Sequence, residues 1–500
     1  MRRLLTGILF FFAAVPLAAR MDGRDIVLHA LAAMGGEDRL RAIHVVVLKG
    51  IGHHQALEQS ERPEGPWVEA YEQVTEVRDF DHGRLRDDIE ARGYETADVL
   101  TSAAWTRRAT MIDGGLAFDV TNEQHPAPGR GRDVQGADES LAFGPERLLL
   151  TALDAHDLRR LPDAALHGFV QHVVHFSRGG TSVRIWISRT TFYPAAVELI
   201  RPRPYDIFWS PWGDVTTRVT WNLWNLEPNG VHYPREWTAE SNGLPERSLS
   251  IQEVHFDPPL SAETFPAVDS LRDAARKRIV APDDFPLGKP AEIAPGIVQI
   301  SGFWNVTEVR ENDGVVILEG PISNGYSEKV LAEAAARFPG VPVKAVITTS
   351  DAWPHIGGLR EYVARGIEIV ALDLNAPILR RLAAAPHRAR PDALQRRPRA
   401  PKFRLIIGRT RFGTMELIPL RTVTGERQMA VWFPERRLLY TSDLFQKMPD
   451  GTWFTPQTVS ELVSVVAREH LDPVTIFGMH YGPTPWSDAA DSLRKTPAAP

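Results

Sequence analysis

The chain of 500 residues contains no cysteine. That absence excludes disulfides, zinc–thiolate centres, cysteine nucleophiles and lipid anchors on cysteine, so any metal has to be held by His, Asp or Glu. A strong charge imbalance is also missing. Fifty-seven Lys and Arg against 63 Asp and Glu leave a formal charge of −6, too little over this length to argue for nucleic acid or for steering of acidic partners. No repeat of fixed period occurs. Beyond the first residues, no run is long and apolar enough to span a bilayer.

The beginning, "MRRLLTGILFFFAAVPLAARMDG", has the pattern of a secretory leader. Arg2 and Arg3 make a basic start, Leu4 to Val15 an apolar stretch, and Ala18 and Ala19 offer small residues for cleavage. A leader over 1–19 predicts export to a periplasmic or extracellular location. The alternative is an uncleaved anchor, although the run is shorter than the roughly 20 residues that a spanning helix needs.

The composition, 43% hydrophobic and 24% charged, is that of a folded globular chain, and the length predicts two or three domains. Residues 20–265 read as an antiparallel β-rich domain. Segments such as "IHVVVLKGIG", "VVHFSRGGTSVRIWIS", "DVTTRVTWNLWNL" and "RSLSIQEVHFD" alternate polar and apolar positions. "SRGGTS" and "EPNGVH" carry the Gly and Asn of hairpin turns. A short helix over Gly23–Met34 and a helical segment over Glu139–Ala155 interrupt the strands. Eight of the thirteen tryptophans lie in this half. They predict core and edge packing, with an apolar ligand cavity as the alternative. His53, His54, His172 and His175 have no clustered carboxylates and read as ordinary strand histidines. Residues 266–290 read as a charged, proline-bearing linker with one helix. From 291 to 500 strands alternate with helices, as in a layered α/β domain. Within it the stretch 380–404 carries nine Arg and Lys and one Asp. It reads as a solvated basic insert, or as a peripheral contact with an anionic membrane or substrate.

Two resemblances follow from motifs. "ALAAMGGEDRLRAI", "GVHYPREWTAES" and "IQEVHFDPPLSAETF" resemble the sheet domains of periplasmic lipoprotein carriers (LolA/LolB-like), which implies the holding of an acyl chain. From about Gly296 to Trp486 the chain resembles the metallo-β-lactamase superfamily. "GVVILEGP" stands where that family has a strand ending in Asp-Thr-Gly, with Glu319 at the aspartate. "AVITTSDAWPHIGG" stands at its H-x-H-x-D-H loop. "PERRLLYTSD" places Asp443 at the metal-bridging aspartate, and "IFGMHYGPTPW" places His480 at the last histidine. The implied fold class is α+β: an antiparallel β-rich domain followed by an αβ/βα sandwich.

The departures from that motif define the expected chemistry. The resemblance puts Ser350, Ala352 and Thr424 at the three ligands of one metal site, which is therefore lost. At the other site Pro354 replaces an aspartate, while His355, Asp443 and His480 remain. Two histidines and one carboxylate suffice for a catalytic ion with open positions. The expectation is one divalent metal, zinc first, with iron or manganese as alternatives, held by His355, Asp443 and His480. Asp351 is expected to serve as a further ligand or general base, or else to cap the loop backbone. The implied activity is metal-hydroxide attack on an ester- or amide-type group of a small-molecule or lipid-like substrate, without nucleic acid. The alternative is an inactive scaffold, with no metal, that binds an apolar or lipid ligand. An iron-dependent oxidative role is a third reading. Ser350 as a nucleophile with His355 as base is a minor one, since nothing around it resembles G-x-S-x-G.

Overall fold

The computed structural model describes residues 21–57, 65, 67–95, 105–447, 453 and 456–495. The expected leader over 1–19 lies outside them. The chain is a mixture of large antiparallel sheets and helices, as an α+β reading requires.

Thirteen strands between Val45 and Phe256 form one antiparallel sheet. The chain meanders from the central strand Val45–Ala56 outward to Ala127–Pro128. It crosses by the helices Gly131–Phe143 and Pro145–Leu153 to the opposite edge at Arg159–Leu166, and meanders back to Leu244–Phe256, which pairs with the first strand. The helix Gly23–Ala33 starts at Asp22, whose carboxylate accepts from Asp25 N at 2.9 Å in a reciprocal capping box. It stops at Gly35 and Gly36, with φ of +117° and +103°. Its apolar stripe of Ile26, Val27 and Leu31 packs with Leu148 and Leu149 on strand residues such as Val174, Phe176 and Ile185.

A cavity of about 670 Å³ lies against this sheet, with Trp209, Trp221 and Trp237 in its wall. The cavity entertained from the tryptophans is present, and its apolar wall also carries Glu72, Arg78, Asp87 and Arg247. These inward charges come from strands whose sequence alternation looked ordinary; the polar positions simply face the enclosed side.

From Pro290 onward two sheets stack face to face. One has seven strands, the last four mutually parallel, and the other has six. Strand register explains the layering, since successive side chains point to opposite faces. In Gly314–Leu318, Val316 and Leu318 enter the layer between the sheets, while Val315 and Ile317 meet the outer helices. In Met429–Phe433, Met429, Val431 and Phe433 point inward, and Ala430 and Trp432 meet the helix Pro456–Arg468 on the other side. Strands buried on both faces read as continuous apolar runs, which is why "GVVIL" and "MAVWF" show no alternation. The order of layers is helix, sheet, sheet, helix.

The two parts share a core. Trp209 and Trp212 pack into the helical layer of the second part rather than on their own sheet. Trp353 meets both, at centroid distances of 4.8 and 4.9 Å. The basic stretch 380–404 is partly built into this joint. Arg360 donates to Asp392 at 2.6 and 3.1 Å and to the carbonyls of Leu382, Ala383 and Ala385. Asp214 accepts from the backbone N–H of Arg388 and Ala389, and His387 Nε2 lies 3.1 Å from Pro211 O. Arg390, Arg396 and Arg397 stay exposed.

Two outcomes are expected. Gly213 has φ +67°, and a Cβ there would come 2.2 Å from Pro386 O. Gly213→Ala therefore lowers stability by about 2 kcal/mol or more in denaturant titration, from strain and from the clash across the joint. Burial pushes the Asp392 carboxyl up, but the Arg360 hydrogen bonds and the nearby His387 outweigh this and hold it below its ordinary value. A carboxylate depressed in the folded state stabilises above its unfolded pKa of about 4 and loses that contribution as pH falls through the folded value. Tryptophan fluorescence followed through an acid titration should report loosening of this joint below about pH 4. Asp392→Asn should show the weakened joint already at neutral pH.

Candidate metal centre

Four strands deliver the site from their C-terminal ends, two from each sheet. Glu319 follows Gly314–Leu318, the loop 348–358 follows Val343–Ile347, Asp443 follows Leu438–Tyr440, and His480 follows Thr475–Gly478. The first two strands are a parallel pair, and so are the last two. Parallel strands bring their carboxyl ends to one edge, where loops can converge. Glu319 and Ser442 adopt positive φ, 75° and 58°, a cost that non-glycine residues bear chiefly where the surroundings fix them.

At this edge His355, Asp443 and His480 come together, with one ligand atom from each within 4.8 Å of the others. Asp443 Oδ1 lies 2.7 Å from His480 Nε2 and 3.3 Å from His355 Nε2. Gln446 Nε2 donates to the same oxygen at 3.2 Å. His355 is 1% exposed, and the Asp443 and His480 side chains 13% and 18%, so the group opens on the His480 side. Trp304 stands edge-on to His480 there, at 6.4 Å between centroids.

Burial disfavours charge on His355, but Asp443 and then Glu319 overcome it and raise the imidazole to about 10. Burial likewise works against the Asp443 carboxylate, and the two imidazoles hold it well below its ordinary value. Asp351, on the same loop, is pushed up to about 8, chiefly by burial, with Arg427 acting the other way. Its Oδ2 is buried without a hydrogen-bond partner.

Glu319, which the sequence put at a motif aspartate without a role, stands behind His355. It is fully buried, and its Oε2 lies 3.5 Å from His355 Nδ1. Thr349 Oγ1 and Tyr440 OH donate to its Oε1, the latter at 3.1 Å, and Thr349 N to its Oε2 at 3.4 Å. A carboxylate behind an imidazole fixes ring orientation and raises ligand basicity. The available signal was an acidic residue ending an otherwise apolar strand. Its partners, Thr349 and Tyr440, gave none.

The remaining motif positions hold the loop rather than an ion. Ser350 Oγ accepts from Ala352 N at 3.1 Å, which ties up the hydroxyl in a local turn. Thr424 donates to Glu461 at 2.7 Å, and Ala352 has nothing to ligate with. Pro354 sits in the short helix Trp353–Ile356, and its carbonyl accepts from Ile322 N.

The donor chemistry fits one divalent ion. Neither ring nitrogen of His355 has a partner in hydrogen-bond geometry, although both are buried. Ligand atoms about a tetrahedral zinc lie roughly 3.3–3.6 Å apart. His355, Asp443 and His480 each offer one such atom, all within 4.8 Å of one another, so these three residues would hold the ion.

No family model matches the chain, and no curated protein matches it by sequence. Solved metallo-β-lactamases resemble it in structure over part of its length. That of Erythrobacter litoralis, with β-mercaptoethanol in its active site, is 14% identical, with 42% of this chain and 98% of that one covered and a TM-score of 0.33. DIM-1 is 12% identical over 42% and 97%, also at 0.33. The enzyme of Hirschia baltica is 15% identical over 42% and 97%, at 0.32. A likeness at this level transfers no residue role to this chain.

Tyr440→Phe tests the support behind His355. It leaves a buried carboxylate one donor short and should lower stability by about 1–3 kcal/mol in thermal or denaturant unfolding.

Proposed function

We propose that the second part of the chain is a hydrolase-like unit with a reduced, mononuclear metal site, and that His355, Asp443 and His480 hold the ion. The observation that carries this reading is the convergence of these three side chains from three segments, with the buried His355 ring set between the carboxylates of Asp443 and Glu319. A divalent ion so held would act as a Lewis acid and make a water acidic enough to serve as a nucleophile near neutral pH. The chain's own residues supply the rest. Glu319 holds the His355 ring through Nδ1. Asp351 Oδ2, buried and unpartnered on the same loop, is placed to give or take a proton. Thr349 and Ser442 tie the two sheets together at the site through a 2.7 Å contact between their hydroxyls. The substrate class is an ester- or amide-type group, reached from the His480 side.

A second reading, a binding protein in which this unit is scaffold only, is favoured by the cavity of about 670 Å³ in the first part. Metal analysis separates the two. Protein purified without a histidine tag and offered zinc, manganese or iron(II) should retain about one ion per chain. His355→Ala and Asp443→Ala should each lose it while keeping the far-ultraviolet dichroism of the parent. Hydrolysis of an activated ester should fall with the metal by about a hundredfold or more. Protein that takes up no metal under all three conditions overturns the first reading.

A further inference from the structure

The cavity in the first part has a charge pattern that the site above does not use. On one side, the strands Val68–Asp79, Arg84–Glu95 and Leu244–Phe256 turn Glu72, Glu76, Asp87, Arg78 and Arg247 toward it. Arg247 donates to Glu72. Arg78 lies 2.5 Å from Glu76 and 2.7 Å from Glu146 of the helix Pro145–Leu153. Four carboxylates thus share two guanidiniums, and Asp87 is the one left over. It stands directly across from Glu76 in the strand pairing, and its Oδ1 is buried with no partner. Arg247 Nη2 is likewise buried and unpartnered. Burial and then Glu76 push the Asp87 carboxyl up to about 7, with Arg247 and Arg108 acting the other way.

Elsewhere in the wall Glu246 pairs with Arg203, Glu139 with Arg201, and Asp206 accepts from Phe208 N. Arg108, Arg130 and Arg132 line the cavity with Asp133. Asp133 lies 3.6 Å from Arg108 and 3.9 Å from Arg132, and Arg130 has no ion pair among the described residues. The two ends are close in register. Arg108 pairs across from Ile89, the next inward position after Asp87. Between and around them the wall is apolar, with Val74, Ile89, Val219, Trp221 and Leu249.

A half-open space that, among the described residues, leaves one carboxylate and one guanidinium without an ion pair, with apolar wall between them, is complementary to one chemistry. We infer that the cavity binds a zwitterionic amphiphile, with an ammonium group against Asp87, a phosphate or carboxylate against Arg130 and Arg132, and an apolar chain along the tryptophan-bearing wall. Its size is within the usual range for small-molecule sites, about 300–1,000 Å³. Such a zwitterion could come from a lipid headgroup or from an acylated amino acid.

Calorimetry and tryptophan fluorescence on the full mature chain test this with four probes: lysophosphatidylethanolamine, Nα-lauroyl-lysine, laurylamine and lauric acid. At least one zwitterion should bind about tenfold or more tighter than either singly charged probe. Which zwitterion prevails identifies the source of the headgroup. Asp87→Asn should weaken the zwitterion and laurylamine about tenfold and leave lauric acid unchanged. Arg130→Ala, at a position exposed enough to leave folding intact, should weaken the zwitterion and lauric acid and leave laurylamine unchanged. The inference is overturned if no probe binds, as for a cavity holding only solvent. It is equally overturned if the zwitterions bind no tighter than lauric acid and laurylamine, or if neither substitution discriminates between the probes.

Discussion

The Asp443 carboxylate, enclosed between two imidazoles, is the constraint around which the second part is arranged. A largely desolvated anion is tolerable only with compensating charge and hydrogen bonds close by. His355 and His480 supply them, at 3.3 and 2.7 Å. His355 in turn lies between two carboxylates, because Glu319 stands behind its other ring nitrogen. The positive charge this sandwich requires comes from a proton on His355 or from a shared divalent ion. Both solutions use the same atoms, so the conditions that keep Asp443 buried are those that favour a cation.

This arrangement depends on the layers beneath it. The four strand ends meet because two parallel pairs, one in each sheet, carry their loops to the same edge. The loop that bears His355 is further held from outside. Trp353, two residues earlier, is packed against Trp209 and Trp212 of the first part. Trp209 also forms part of the wall of the charged cavity. One tryptophan cluster therefore touches both the cavity and the metal-site loop, and the site's geometry includes contributions from residues more than a hundred positions away.

Much of the local structure was legible because its causes are local. "GRDIVLHALAAM" carries its own cap and its own glycine stop, and forms the helix Gly23–Ala33. "SRGGTS" turns at Gly179 and Gly180, both at positive φ. His355, Asp443 and His480 stood out only through their places in the motifs that resemble the metallo-β-lactamase superfamily, not through any property of the single segments. What was not legible depends on distance in sequence. Glu319 looked like the end of a strand, and only the fold sets it behind His355. Trp209 and Trp212 looked like sheet residues, yet their partners are helices of the other part. The stretch 380–404 looked like solvated charge, while Arg360 and Asp214 bind its backbone and its one acid.

The sequence by itself determined the alternation that makes the first sheet, the doubly apolar strands that make the second pair of sheets, and the residue types able to hold a metal without cysteine. Those follow from side-chain periodicity and donor chemistry, which each short segment carries alone. Only the tertiary structure decided which charges face one another. The pairing of Asp443 with two imidazoles, the support of His355 by Glu319, and the unpaired carboxyl of Asp87 in the same cavity as Arg130 all arise from strand register and sheet stacking. Electrostatic compensation acts through space, over a few ångströms, between groups that the chain keeps far apart.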